Sequence, residues 1–131
     1  MIRTAINPCS WSLGFGFNQG ELVKQPEQIL FCAGQTAIDA TGQVQHEGDI
    51  RAQIGMAVEN LNAVLRDAGM TLANVARLTV YTTDVDAMLA NFDALVGPLD
   101  EAGVKPAQTL LGVARLGMPE LLVEIEATAV A

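Results

Sequence analysis

The sequence predicts an α+β fold, a mixed β-sheet with two helices packed on one face. Three observations carry that expectation. Leu121–Ala129 alternates strictly, a stretch after Asp49 has helical periodicity, and the elements run strands, helix, strand, helix, strands. At 131 residues the chain is read as one domain, 1–131, long enough to bury roughly 70% of its unfolded surface.

Residues 1–20 are rich in Asn, Ser and Gly and read as irregular, with Trp11, Phe15 and Phe17 as anchors. Ile29–Ala33 is a short apolar run that reads as a buried strand, stopped by Gly34. Asp39–Gly42 makes a turn in which Gly42 is free to take positive φ. Asp49 caps the first helix by offering its carboxylate to free backbone N–H groups. Ile50, Ile54, Val58, Leu61, Leu65 and Ala68 recur at spacings of three and four, and Gly69 closes the helix.

Val75–Thr82 alternates imperfectly, but its β-branched content favours a strand. A second helix follows, capped by Asp84 or Asp86, with Met88, Phe92, Leu95 and Leu99 facing inward. Pro98 cannot donate a helical hydrogen bond, so this helix is expected to bend or end near Gly97. Strands at Thr109–Val113 and Leu121–Ala129 complete the order. In the last strand Val123, Ile125, Ala127 and Ala129 share one face, and Leu122, Glu124, Glu126 and Thr128 the other. Two helices cover only one side of the sheet. Leu110, Leu111, Val113 and Leu122 argue that another subunit covers the second.

Composition excludes several functions. The formal charge of −8 repels phosphate backbones, and no basic stripe interleaves with aromatics, so no nucleic-acid partner is expected. Cys9, Cys32 and a lone His46 make neither a CxxC pair nor a metal-ligand set, so neither metal nor cofactor is expected. No run of about 20 apolar residues offers a membrane span. The first residues lack the apolar core of a secretory signal, which makes the cytoplasm the expected location.

The closing segment reads Pro106-Ala107-Gln108-Thr109, then Val113-Ala114-Arg115-Leu116-Gly117, then Val123-Glu124-Ile125-Glu126-Ala127. It resembles the end of the RidA/YjgF family, whose usual wording is Pro-Ala-Arg-Ser, Val-Ala-Arg-Leu-Pro and Val-Glu-Ile-Glu-Ala. The resemblance implies a homotrimer with a chorismate-mutase-like fold and clefts for a small-molecule ligand between subunits. It also implies hydrolysis of reactive imines and enamines, with Glu124 orienting or activating the attacking water. Such a reaction needs a polarised C=N carbon, a positioned water and a group that passes a proton.

This chain departs from the family at its ligand positions. Gln108 stands where an arginine clamps the substrate carboxylate. Phe17 stands where a tyrosine is usual, and Ala33 where a serine is usual; Gly34 is retained. A charged hydrogen bond contributes about 1.5–3 kcal/mol and a neutral one about 0.5–1.5 kcal/mol. Exchanging the guanidinium fork for an amide therefore weakens carboxylate binding by roughly ten-fold. The expected substrate is more neutral than usual, bound by Phe17, Ala33, Gly34 and Gln108. Lys105 is close enough in sequence to replace the lost cation. Three alternatives stay open. Glu124 faces solvent or pairs with Arg77 or Arg115; the trimer binds a small metabolite without turnover; or the trimer is a chorismate-mutase-like isomerase, for which Gln108 is poorly suited.

Overall fold

The computed structural model describes residues 1–131. Strands β1 (Ile2–Ile6) and β2 (Gly20–Lys24) form an antiparallel pair, and β3 (Ile29–Gln35) enters the main sheet. Helix α1 (Ile50–Asp67), β4 (Val75–Thr82), α2 (Val85–Ala90), α3 (Asp93–Glu101), β5 (Ala107–Gly112) and β6 (Val123–Val130) follow. The main sheet runs β3-β6-β4-β5. β6 is antiparallel to both neighbours, and β4 and β5 are parallel.

The sheet is mixed and its faces are unequal. Val123, Ile125, Ala127 and Ala129 of β6 join Leu78 and Val80 of β4 in one core with Ile54, Leu61, Leu65, Leu95 and Leu99 of the helices. Leu110 of β5 packs against the same core. The opposite face carries Glu124, Glu126 and Thr128 beside Tyr81, Thr79 and Arg77. Asp49 caps α1 by accepting the Ala52 N–H at 3.0 Å, and Gly69 follows the helix at φ +73°. The imperfect alternation of β4 has a local cause: its register against β6 shifts between Val75 and Arg77.

Three expectations are corrected. Residues 1–20 are not irregular throughout, because Ile2–Ile6 pairs with Gly20–Lys24. Nor are all three aromatics anchors: Trp11 and Phe15 are 59% and 60% exposed. What holds their 3₁₀ turn is small, namely buried Ser12 and Gly16, where a Cβ would fall 2.7 Å from Val96 Cγ1. Second, β3 is an edge strand, not a buried one. Phe31 is 79% exposed on the face that lacks helices, and the strand runs past Gly34 to Gln35 through a bulge.

Third, the second helix is two. Asn91 donates its side-chain amide to the Ala87 carbonyl at 2.9 Å, and the Asn91 and Phe92 N–H groups reach back only three residues. That tightening ends α2, and α3 restarts at Asp93. Pro98 lies inside α3, which continues with Ala102 N–H bonding to Pro98 O at 3.1 Å.

One arginine ties the N-terminal pair to the sheet. Arg3 pairs with Glu21, whose side chain is 7% exposed, and donates to the carbonyls of Ala73 at 2.6 Å and Val75 at 2.9 Å. Arg3→Ala leaves a buried carboxylate and two carbonyls without donors. It is expected to lower stability by about 2–3 kcal/mol in urea denaturation, with early loss of amide protection in β1 and β2.

Candidate functional site

Glu124 lies on the open sheet face, as its alternation requires, with its carboxylate directly over Gly34. A Cβ on Gly34 would fall 2.7 Å from Glu124 Cδ and 3.0 Å from Cγ, closer than real atoms pack. The bulge between Cys32 and Gln35 lets the β3 backbone approach that carboxylate. Ala33 sits exposed on the same bulge, and Gln35 donates its amide to the Ala33 carbonyl at 3.2 Å. Neither Arg77 nor Arg115 forms an ion pair with Glu124; the ion pairs are Arg3–Glu21, Arg51–Asp93 and Lys105–Asp100.

Glu124 and Gly34 line an open pocket of about 350 Å³ with Tyr81, Arg115, Gly117 and Glu126. Tyr81 and Glu126 go beyond the site residues expected from sequence. The signal for Tyr81 was its place beside Arg77 and Thr79 on the polar side of an alternating strand. Its hydroxyl donates to Glu126 Oε1 at 2.7 Å. That hydrogen bond, reinforced by burial and by the charges of Glu126 and Glu124, holds the phenol above its ordinary pKa.

The raised value means that proton binding to Tyr81 favours the folded chain. This contribution is complete below the ordinary tyrosine pKa and is lost as pH rises through the folded-state value. Because the chain has one tyrosine, absorbance at 295 nm isolates it. Its midpoint is expected above that of a free tyrosine, and Glu126→Ala is expected to bring it back towards the ordinary value.

Gln108 lies elsewhere. In the β4–β5 register it pairs with Leu78 and shares the face of Leu110, opposite to that of Tyr81 and Glu124. Its Oε1 is buried with no hydrogen-bond partner. Phe17 precedes Asn18, whose N–H bonds to Lys105 O at 3.2 Å and which bridges to Ala107 at the start of β5. Trp11 meets Phe17 edge to face at 5.7 Å. Lys105 does not stand in for the missing arginine, because its ammonium pairs with Asp100 at 3.2 Å. The protomer therefore brings Gly34 and Glu124 together, with Ala33 beside them on the bulge, whereas Gln108 lies on the opposite face of the sheet and Phe17 lies next to the residue that bridges to the start of β5.

Cys32 points from β3 into the core, and burial raises its thiol pKa, as for a small core residue. No three His, Cys, Asp or Glu side chains converge as metal ligands. No helix is long and apolar enough to cross a membrane.

A four-stranded mixed sheet, helices on one face and a glycine-floored carboxylate on the other define the class of small proteins to which known structures can be compared. The Rid-family protein YyfB of Yersinia pestis is 39% identical, with each chain covered over 100% and a TM-score of 0.90. Escherichia coli TdcF, solved with bound serine, is 25% identical, with 97% of this chain and 93% of that one covered and a TM-score of 0.72. A RutC family protein of Synechocystis sp. is 37% identical over 103 residues, 78% of each chain. The family model described as Endoribonuclease L-PSP matches residues 16–131. The chain belongs to the RidA/YjgF family.

Proposed function

We propose that this protein is a RidA-like hydrolase of imines and enamines that takes a more neutral substrate than usual, at clefts between the subunits of a homotrimer. The observation that carries this reading is Glu124, a carboxylate seated over Gly34, bordering an open pocket and paired with neither nearby arginine. Glu124 accepts a hydrogen bond from water and takes its proton as the oxygen bonds to the imine carbon. The nitrogen takes up that proton and then the one lost by the new hydroxyl as the C=O bond forms, and it leaves with the C–N electron pair, giving a carbonyl compound and ammonia or an amine.

The split of the site supports the assembly. Gln108 on one face and Glu124 with Gly34 on the other can bound one ligand only if different protomers supply them. Exposed Phe31 and Leu111 on the open face also fit burial against another copy. The relative solved with serine supports a small-molecule ligand for this fold. The family description names an endoribonuclease, but a charge of −8 opposes binding to a polyanion.

Gln108, Phe17 and Ala33 also favour a second reading, a trimer that binds a neutral metabolite without turnover. Ammonia release from enzymatically generated 2-iminobutyrate, with wild type and Gln108→Arg compared, separates the two. The hydrolase reading expects weak activity in the wild type and roughly ten-fold higher activity on this carboxylate substrate in Gln108→Arg. No acceleration by either protein, on this imine or on one without a carboxylate, leaves the binding reading.

A further inference from the structure

We propose that Tyr81 binds the leaving nitrogen: its oxygen accepts the N–H of a C=N substrate, while Glu126 holds the hydroxyl's own hydrogen out of the way. The inference rests on the hydrolase reading for its reaction. It deepens that reading by naming the group that tells a nitrogen bearing hydrogen from one that bears none.

The sheet places the phenol opposite the candidate base. Tyr81 and Glu124 are direct partners in the β4–β6 register, so their side chains rise next to each other from the open face. The Glu124 carboxylate leans away towards β3, over Gly34, whereas the Tyr81 ring stands on β4, on the other side of β6. The open pocket of about 350 Å³ is bordered by both, and by Glu126. The ring itself packs on the small apolar cluster of Ala37, Leu116 and Leu121. A water on Glu124 and a nitrogen on Tyr81 can thus flank one carbon.

Hydrogen-bond polarity assigns the role. Tyr81 has one hydroxyl hydrogen, and it goes to Glu126 Oε1 at 2.7 Å. Only lone pairs are left to face the pocket, so the phenol acts there as an acceptor. The bond to Glu126, burial and the charges of both glutamates keep it protonated above the ordinary tyrosine range. Glu124 already takes the proton of the attacking water. The other hydrogen available is the one on nitrogen. As that nitrogen gains protons its hydrogen bond becomes charge-assisted, so Tyr81 holds it more strongly as the reaction advances. Tyr81 keeps its own hydrogen throughout, and the protons follow the path given above. Arg115 borders the pocket too, but it pairs with neither glutamate, and its Nε donates to the Leu116 carbonyl at 3.3 Å.

The test compares imines formed in situ from one aldehyde with methylamine, whose iminium carries an N–H, and with pyrrolidine, whose iminium carries none. The full chain is expected to favour the first by at least roughly ten-fold in kcat/KM. Tyr81→Phe removes one oxygen and keeps the ring. It is expected to lose about ten-fold on the methylamine imine and less than about three-fold on the pyrrolidine one, which erases the preference. Glu126→Ala lets the phenolic hydrogen turn into the pocket, donor against donor, and is expected to lose at least about ten-fold on the methylamine imine. The double variant Tyr81→Phe/Glu126→Ala should be no worse than Tyr81→Phe, because Glu126 acts through the phenol.

Acetamidinium, a stable planar cation with N–H groups, supplies a second arm without turnover. The chain has one tyrosine, so a ¹³C label at tyrosine Cζ gives one signal. Acetamidinium is expected to shift it saturably and at least roughly ten-fold more tightly than tetramethylammonium, which has no N–H. A wild-type substrate ratio in Tyr81→Phe, or no saturable shift with acetamidinium, overturns the assignment. If acetamidinium shifts Tyr81 as expected but no imine is hydrolysed faster than in buffer, the nitrogen site stands and the hydrolase reading falls. If imines are hydrolysed but Tyr81→Phe keeps the wild-type ratio, the hydrolase reading stands and the nitrogen site falls.

Discussion

Glu124→Gln is expected to lower imine hydrolysis by about 10²–10⁴-fold, the range a positioned proton acceptor contributes. The amide keeps the size and strand position of the carboxylate, so fold and assembly should persist. What goes is the charge that, in the proposed reaction, accepts the water proton. The decisive comparison is kcat against KM. Because Glu124 sits on the opposite sheet face from Gln108, the loss should fall on kcat, with KM changed less than about three-fold. A variant with full kcat would place the proton acceptor elsewhere, and Glu126, held by Tyr81, would be the next residue to test.

Gly34→Ala is expected to lose at least roughly ten-fold in activity with almost no loss of stability. Gly34 is not among the glycines with positive φ, so its backbone accepts alanine without strain. The added methyl meets the end of the Glu124 side chain, which is flexible and moves away. The cost therefore appears in catalysis. Stability should change by less than about 1 kcal/mol and can rise, because alanine restricts the unfolded chain. A Gly34→Ala/Glu124→Gln double variant should be no worse than Glu124→Gln alone, since both act through one carboxylate. Additive losses would mean that Gly34 contributes separately, through close approach of its backbone to the substrate.

Much of the scaffold was legible because its signals are local. The Asp49 cap, the three-and-four spacing of α1 and the alternation of β6 each report on a few neighbouring residues. Two of the three departures lie where the deciding contact is distant. Ile29–Ala33 reads as buried because it is apolar, yet the sheet order puts it on an edge, where Phe31 awaits a cover that no other element of the chain supplies. Ile2–Ile6 became a strand only by finding Gly20–Lys24 and the Arg3 tie. Pro98 drew attention as the helix breaker, but the break comes earlier, from the local bonding of Asn91.

The site divides in the same way. Glu124 was legible from strand parity, and Gly34 from its residue type beside a strand end. Their contact was not, because it depends on a bulge in β3 and on the β3–β6 pairing. The separation of Gln108 from Glu124 was hidden as well. Parity within β5 and within β6 was readable, but which faces coincide depends on the β4 register that joins them.

The shared cleft is tested most directly by mixing subunits. Glu124→Gln and Gln108→Phe, each blocking one half-site, are unfolded together, refolded at equal ratio and assayed for imine hydrolysis. On the proposed cleft, with the two halves from neighbouring protomers, the mixture should regain roughly a quarter of wild-type activity, the share of clefts with both halves intact. A mixture as inactive as its parents would contradict a cleft built from two protomers.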